Sequence, residues 1–130
     1  MRETGNAMLW YHAPHETSSH HRRLKRIVII GGGASGLVAA IMAARNGACV
    51  TVLERMQRVG KKLLATGNGR CNLANRRLDA THYHGADAGF VKGVFAQFGL
   101  EKTLAFFDSL GVSVEEEDEG KLFPASRQAS

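Results

Sequence analysis

The chain has 130 residues, with 17 basic and 12 acidic side chains, a formal charge of +5, 15 glycines and two cysteines. That length holds one ordinary domain. Two cysteines without Cys-x-x-Cys spacing exclude a disulfide framework, and no apolar stretch approaches the roughly 20 residues that span a bilayer. A reducing cytoplasm is therefore the expected compartment. The charge is uneven: residues 27–77 hold eight cations and one anion, whereas residues 78–130 hold four cations and nine anions. A basic middle suits a polyanionic ligand. Nucleic acid is not the expected partner, because no aromatic residues interleave with the basic ones in 55–77.

Residues 1–25 show no periodicity and are read as a disordered or non-native leader. His12, His15, His20 and His21 lie there among Ser, Thr and Arg; weak transition-metal binding is the alternative reading. A secretory core is lacking, and Glu3 and Glu16 interrupt any transit-peptide pattern.

Ile27–Ile30 is a β-branched run without a polar residue, which predicts a strand covered on both faces. Gly31-Gly32-Gly33-Ala34-Ser35-Gly36 follows. Leu37, Ala40, Ile41 and Ala44 then repeat at helical spacing, and small Ala39, Ala40, Ala43 and Ala44 permit close approach to a sheet. Asn46-Gly47 stops the helix, with Arg45 near the negative end of its dipole. Cys49–Leu53 reads as the second strand, and Glu54 ends it.

This is the order that holds a dinucleotide. Gly31 permits the tight turn, Gly33 lets backbone approach a pyrophosphate, and Gly36 lets the helix pack on the strand. The N–H groups around Ala34 and Ser35 face the phosphates with the helix dipole behind them. A Glu54 carboxylate can accept from both hydroxyls of an adenosine ribose and would repel a 2′-phosphate, so NADP is not expected at this turn. An ordinary flexible turn and a solvated strand-end acid are the rival readings.

In residues 60–75, Gly67 and Gly69 permit positive φ and a concave loop with exposed N–H groups. Asn68, Asn72 and Asn75 add amides, and Lys61, Lys62 and Arg70 add charge. A hairpin turn and a solvated basic face are the alternatives. Cys49 reads as a core residue and Cys71 as loop packing, with a redox thiol at Cys71 as its alternative. His82 and His84 flank Tyr83 as surface-loop histidines, a catalytic base being the alternative. Residues 87–98 and 100–110 read as helices broken at Gly99. Phe90, Val94 and Phe98 on the first, and Leu104, Phe107, Leu110 and Val112 on the second, are assigned to core packing. Glu115–Glu119 is read as a solvated, mutually repelling turn before a Lys121-Leu122-Phe123 strand, and no metal site is assigned.

Gly31-Gly32-Gly33-Ala34-Ser35-Gly36-Leu37, Glu54-Arg55, Gly60-Lys61-Lys62-Leu63-Leu64 and Thr66-Gly67-Asn68-Gly69-Arg70-Cys71-Asn72 together resemble the start of the bacterial aminoacetone-oxidase-like NAD(P)/FAD-dependent oxidoreductases. Phe106-Phe107 through Gly111-Val112, and Gly120 to Ser126, resemble later segments of that family. Ala74 stands where Thr is usual and Lys121 where Arg is usual. The resemblance implies FAD at the glycine turn, with Glu54 on the adenosine ribose. It implies that Arg55, Lys61, Lys62, Thr66, Gly67, Asn68, Gly69, Arg70, Cys71 and Asn72 serve the cofactor, Asn68 to Asn72 lying closest to the isoalloxazine. Arg70 is the candidate for stabilising the anionic reduced flavin or for gripping an acidic substrate. NAD(P)H is the candidate electron donor.

The expectation is thus an α/β, Rossmann-like FAD-binding domain with a parallel sheet, incomplete at the C-terminus, in which residues 26–130 are the N-terminal part. The whole protein would be a flavin-dependent oxidoreductase acting on a small-molecule substrate without membrane or nucleic-acid partners, and this chain alone would be inactive. No catalytic residue and no oligomeric state are assigned. A truncated, non-catalytic remnant and an NAD-dependent dehydrogenase fragment are the rival readings.

Overall fold

A computed structural model describes residues 25–85 and 87–129, so the His-rich segment before Lys25 lies outside the described residues. The chain divides into two compact units, one ending at Leu63 and the other beginning at Leu64.

The first unit is a βαβ element: β1 (Arg26–Ile30), α1 (Ala34–Arg45) and β2 (Cys49–Leu53). The two strands are parallel, in register from Arg26 opposite Cys49 to Ile30 opposite Leu53. The pairing extends beyond both ends, because Cys49 N–H donates to Lys25 O and Gly31 N–H to Leu53 O, each at 2.8 Å. α1 closes as the Asn-Gly pair predicts. Gly47, at φ +79°, donates to Ala44 O at 2.9 Å, and Ala48 donates to Ala43 O at 3.1 Å. These paired bonds satisfy two helix-end carbonyls.

The parallel register puts Ile27, Ile29, Val50 and Val52 on one sheet face. That face meets α1, whose Leu37, Ala40, Ile41 and Ala44 are half-buried, and Val50 and Val52 are buried. The expectation that β1 is covered on both faces fails here. Val28 is 60% exposed and Ile30 87%, because the single helix α1 covers one face of the two-stranded sheet.

The short helix α2 (Lys61–Ala65) carries the chain across the division into the second unit. A 3-10 turn (Thr66–Gly69), β3 (Ala74–Asn75) and a second 3-10 turn (Ala80–His82) follow. α3 (Ala88–Gln97), α4 (Leu100–Asp108), β4 (Val114–Glu116) and β5 (Lys121–Pro124) complete the described elements. The strands form an antiparallel sheet in the order β3-β5-β4. Central β5 supplies most of the core: Leu122, Phe123 and Pro124 are buried, as is Phe106 from α4.

Asp87 caps α3 by accepting from Gly89 N–H at 2.9 Å and Phe90 N–H at 3.1 Å. The aromatic stripe of α3 departs from the expected core packing. Phe90 is 69% exposed, and Val94, Phe98 and, after α4, Leu110 are also exposed. The helix turns Phe95 inward instead, edge-on to Tyr83 at 5.3 Å between ring centroids.

The acidic run is also not the self-repelling turn expected. Its first residues are the strand β4, and Glu116 pairs with Arg76 at 3.1 Å, Glu117 with Arg70 at 2.7 Å and Glu119 with Lys121 at 2.5 Å. Arg127 lies 3.9 Å from both Glu115 and Glu117. Folding the basic 70–77 segment along β5 opposite the acids converts two like-charged stretches into one set of ion pairs. Among the described residues no helix is long and apolar enough to cross a membrane, and no three metal-ligating side chains converge.

Candidate functional site

The glycine turn and Glu54 come together within the first unit. Gly31 has φ +99° with open space around its α-carbon, so its glycine serves the turn itself. Gly36 is needed for space: a Cβ there would lie 1.9 Å from Gly31 O and 3.4 Å from Ile29 Cγ2. The close approach of helix and strand read from the spacing is present. Gly33 is the N-cap of α1, extended at φ −81°, with nothing within 4 Å of where a Cβ would stand.

Gly32 has a role the spacing did not reveal. It is buried, its N–H donates to Glu54 Oε2 at 2.7 Å, and its carbonyl accepts from Gly60 N–H at 2.7 Å. A Cβ on it would lie 2.7 Å from Val59 Cγ1. The turn is therefore bolted to the segment after β2 at both polar atoms of one residue. The middle glycine of the run and the Val59-Gly60 pair were the available signals.

Glu54 Oε1 accepts from Met56 N–H at 2.8 Å. The Met56 and then the Gly32 N–H hold the Glu54 carboxyl below the usual carboxylate range. One acceptor position on each oxygen is thus engaged, and a carboxylate offers about two per oxygen. The remaining positions match two ribose hydroxyls. The start of α1 has no side-chain cap and no acid in its first turn, and Ala34 and Ser35 are exposed. Uncapped N–H groups, an open Gly33 and an oriented carboxylate form a donor and acceptor set that fits the pyrophosphate and ribose of a dinucleotide. The side chains of Arg55, Lys61 and Lys62 are exposed on the following segment.

The loop of the second unit is more contorted than its glycines alone require. Gly67, Asn68, Gly69 and Cys71 have φ of +56°, +56°, +82° and +60°. Left-handed conformations at Asn68 and Cys71 cost on the order of 1 kcal/mol each and persist only where the surroundings enforce them. The expected positive φ at both glycines is present. The expected display of N–H groups is reduced, because Arg70 N–H donates to Gly67 O at 3.2 Å and Cys71 N–H to Thr66 O at 3.0 Å. Ala129 N–H binds Gly69 O at 2.9 Å. Asn68 and Asn72 are exposed, while Cys71 is half-buried and carries a free thiol.

Arg70 does not extend outward. Its guanidinium lies 4.3 Å over the Phe123 ring, Nε donates to Gly67 O at 3.3 Å, and Nη1 donates to both Glu117 oxygens at 2.9 and 2.7 Å. Glu117 and Phe123 are partners that sequence reading missed. Asn75 makes a local turn by accepting from Arg77 N–H at 2.7 Å and donates to Glu119 O at 3.2 Å. His82 and His84 are exposed.

The model of the HI0933-like protein Rossmann domain matches residues 25–130. Over 98 residues the chain is 53% identical to the 3-dehydro-bile acid delta(4,6)-reductase of Clostridium scindens, covering 74% of this chain and 24% of the reductase. It is 33% identical over 89 residues to the ribosomal RNA dihydrouridine synthase of Haemophilus influenzae, covering 68% of this chain and 22% of that protein. Identity to the Escherichia coli protein of the same description is 29% over 89 residues. The chain spans about a quarter of the length of these relatives.

Proposed function

The chain belongs to the HI0933-like Rossmann family, a flavin-type oxidoreductase family, and from that premise we propose that it is the FAD-binding portion of a flavin-dependent oxidoreductase. The observation that carries this reading is the βαβ turn in which Glu54 is already oriented by Gly32 and Met56 N–H groups beside an uncapped helix start. In this reading Gly33, Ala34 and Ser35 offer N–H groups to the pyrophosphate, Gly31 and Gly36 shape the turn, and Glu54 receives the adenosine ribose. Arg55, Lys61 and Lys62 supply surrounding positive charge, and Thr66 to Asn72 serve the cofactor as a shaped loop. Bound FAD would supply two-electron redox chemistry.

The identity to a reductase favours reduction of a small organic substrate, with NAD(P)H as donor, over an oxidase of the aminoacetone type. RNA is the second substrate reading, because two of the relatives are described as ribosomal RNA dihydrouridine synthases and Arg55, Lys61 and Lys62 are exposed, although Arg70, Arg76, Lys121 and Arg127 face acids of their own unit. Titration of the purified chain with FAD, followed by its visible spectrum, tests the cofactor. Equimolar uptake with a resolved flavin spectrum is expected. A folded protein that binds NAD and ignores FAD would make it a dehydrogenase fragment, and an unfolded, colourless one a remnant. In the whole protein, anaerobic mixing with NADH or NADPH should bleach the flavin. Bleaching by an amine substrate and by neither nicotinamide would reverse the proposed direction.

A further inference from the structure

We propose that Glu117 is a positioning residue for the loop Thr66–Asn72, acting through Arg70, and that Arg70 is a charge-cancelled strut rather than an anion-gripping arm. The function of that loop rests on the flavin reading above; the positioning itself does not.

The loop holds two non-glycine residues, Asn68 and Cys71, at φ near +60°. Something outside the local chain must hold them there. Backbone bonds from Cys71 N–H to Thr66 O and from Ala129 N–H to Gly69 O contribute, and the side-chain restraints converge on Arg70. Its Nε returns to Gly67 O, its guanidinium lies on Phe123, and its Nη1 is held by Glu117. Phe123 also underlies Gly67, where an added Cβ would come within 2.8 Å of its ring. One arginine therefore ties the start of the loop, the central strand and the hairpin from β4 to β5 together.

Glu117 is distinguished within its acidic run. Its side chain is 25% exposed, against 47% for Glu116, 55% for Glu115 and 71% for Glu119. It is the acid of the run that turns inward. Its carboxylate lies between two guanidinium groups, Arg70 at 2.7 Å and Arg127 at 3.9 Å. An arginine whose charge is met by a close, partly buried carboxylate attracts a further anion weakly, because the pair presents no net charge. A loop carrying such a pair suits neutral, hydrogen-bonding ligand groups such as ring carbonyls and amides.

Glu117→Gln keeps the side-chain shape and removes the charge. Glu116→Gln removes the neighbouring pair with Arg76 and serves as the control. In the chain without added flavin, backbone carbon shifts of Asn68 and Cys71 report the left-handed conformation. Glu117→Gln should average these shifts, Glu116→Gln should leave them unchanged, and Glu117→Asp should restore them in part. In FAD titrations Glu117→Gln should raise Kd about tenfold, and Arg70→Gln combined with Glu117→Gln should bind no worse than Arg70→Gln alone. Unchanged loop shifts in Glu117→Gln, or equal disturbance by Glu116→Gln, would overturn the positioning role. FAD affinity lost in Arg70→Gln but kept in Glu117→Gln would show that Arg70 grips the ligand itself, and would overturn the strut. If the parent chain takes up no FAD, the flavin reading fails, and the loop shifts alone decide for or against Glu117.

Discussion

Two turns in this chain are fastened by a carboxylate from a later segment, and they are fastened differently. The glycine turn at 31–36 is held by Glu54, whose oxygens accept directly from backbone N–H groups of Gly32 and Met56. The loop at 66–72 is held by Glu117, which reaches it only through the side chain of Arg70. Backbone fastening orients the peptide units themselves and leaves the charge of Glu54 available beside the helix start. Side-chain fastening spends one charge against another and leaves a neutral, shaped loop. In the proposed reading the first leaves the N–H groups of the α1 start for phosphates and a carboxylate set for ribose hydroxyls, and the second leaves a loop that presents amides in a strained arrangement.

The contrast can be broken most severely at Gly36. Gly36→Ala places a Cβ 1.9 Å from the Gly31 carbonyl, so helix and strand must part. A loss of about 3 kcal/mol or more is expected for the first unit, read as an early unfolding transition together with lost adenine-nucleotide binding. Gly67→Ala is the matching lesion in the second unit. Its Cβ would meet Phe123 Cε1 at 2.8 Å and Asn72 N at 2.9 Å with φ at +56°, and about 1–3 kcal/mol is expected in denaturant unfolding. If Gly67→Ala also abolished binding of ADP, which lacks the flavin half, the division of labour between the two turns would be wrong.

Glu54 sharpens the comparison through pH. Its folded pKa is depressed, so its contribution is fully present above the unfolded carboxyl value of about 4.3 and is lost as pH falls through the lower folded value. The amide signals of Gly32 and Met56 should therefore move with acid titration, and in Glu54→Gln that movement should vanish while ADP affinity falls roughly tenfold at neutral pH. The smallest expected effect lies outside both turns. Asp87→Ala removes the cap of α3 and should cost about 1 kcal/mol in thermal unfolding, with loop shifts and nucleotide affinity unchanged.

These differences also explain what could be read before the fold was seen. Gly31, Gly36, Gly47 and the limits of β2 were legible because each obeys a rule confined to a few neighbouring residues. Glu54 was legible because a single βαβ connection fixes its place. Glu117 was not: 47 residues separate it from Arg70, and nothing local distinguishes it from the acids beside it. The run was misread as repulsive for the same reason, since its counter-charges, Arg70 and Arg76, arrive across the sheet. Phe90, Val94 and Phe98 show a further limit. Their spacing correctly marks an apolar helix face, but periodicity carries no information about whether a second surface lies within the same stretch of chain.

The bare face of β1 has a practical consequence. A strand whose outer edge is unpaired among the described residues, and whose Ile30 is 87% exposed, is a template for another strand. Handled alone at high concentration, this chain should show its character first by light scattering, as slow intermolecular β-pairing. Ile30→Lys should delay that turbidity without touching the α1 face, since Ile30 lies on the opposite side of the sheet from Ile29.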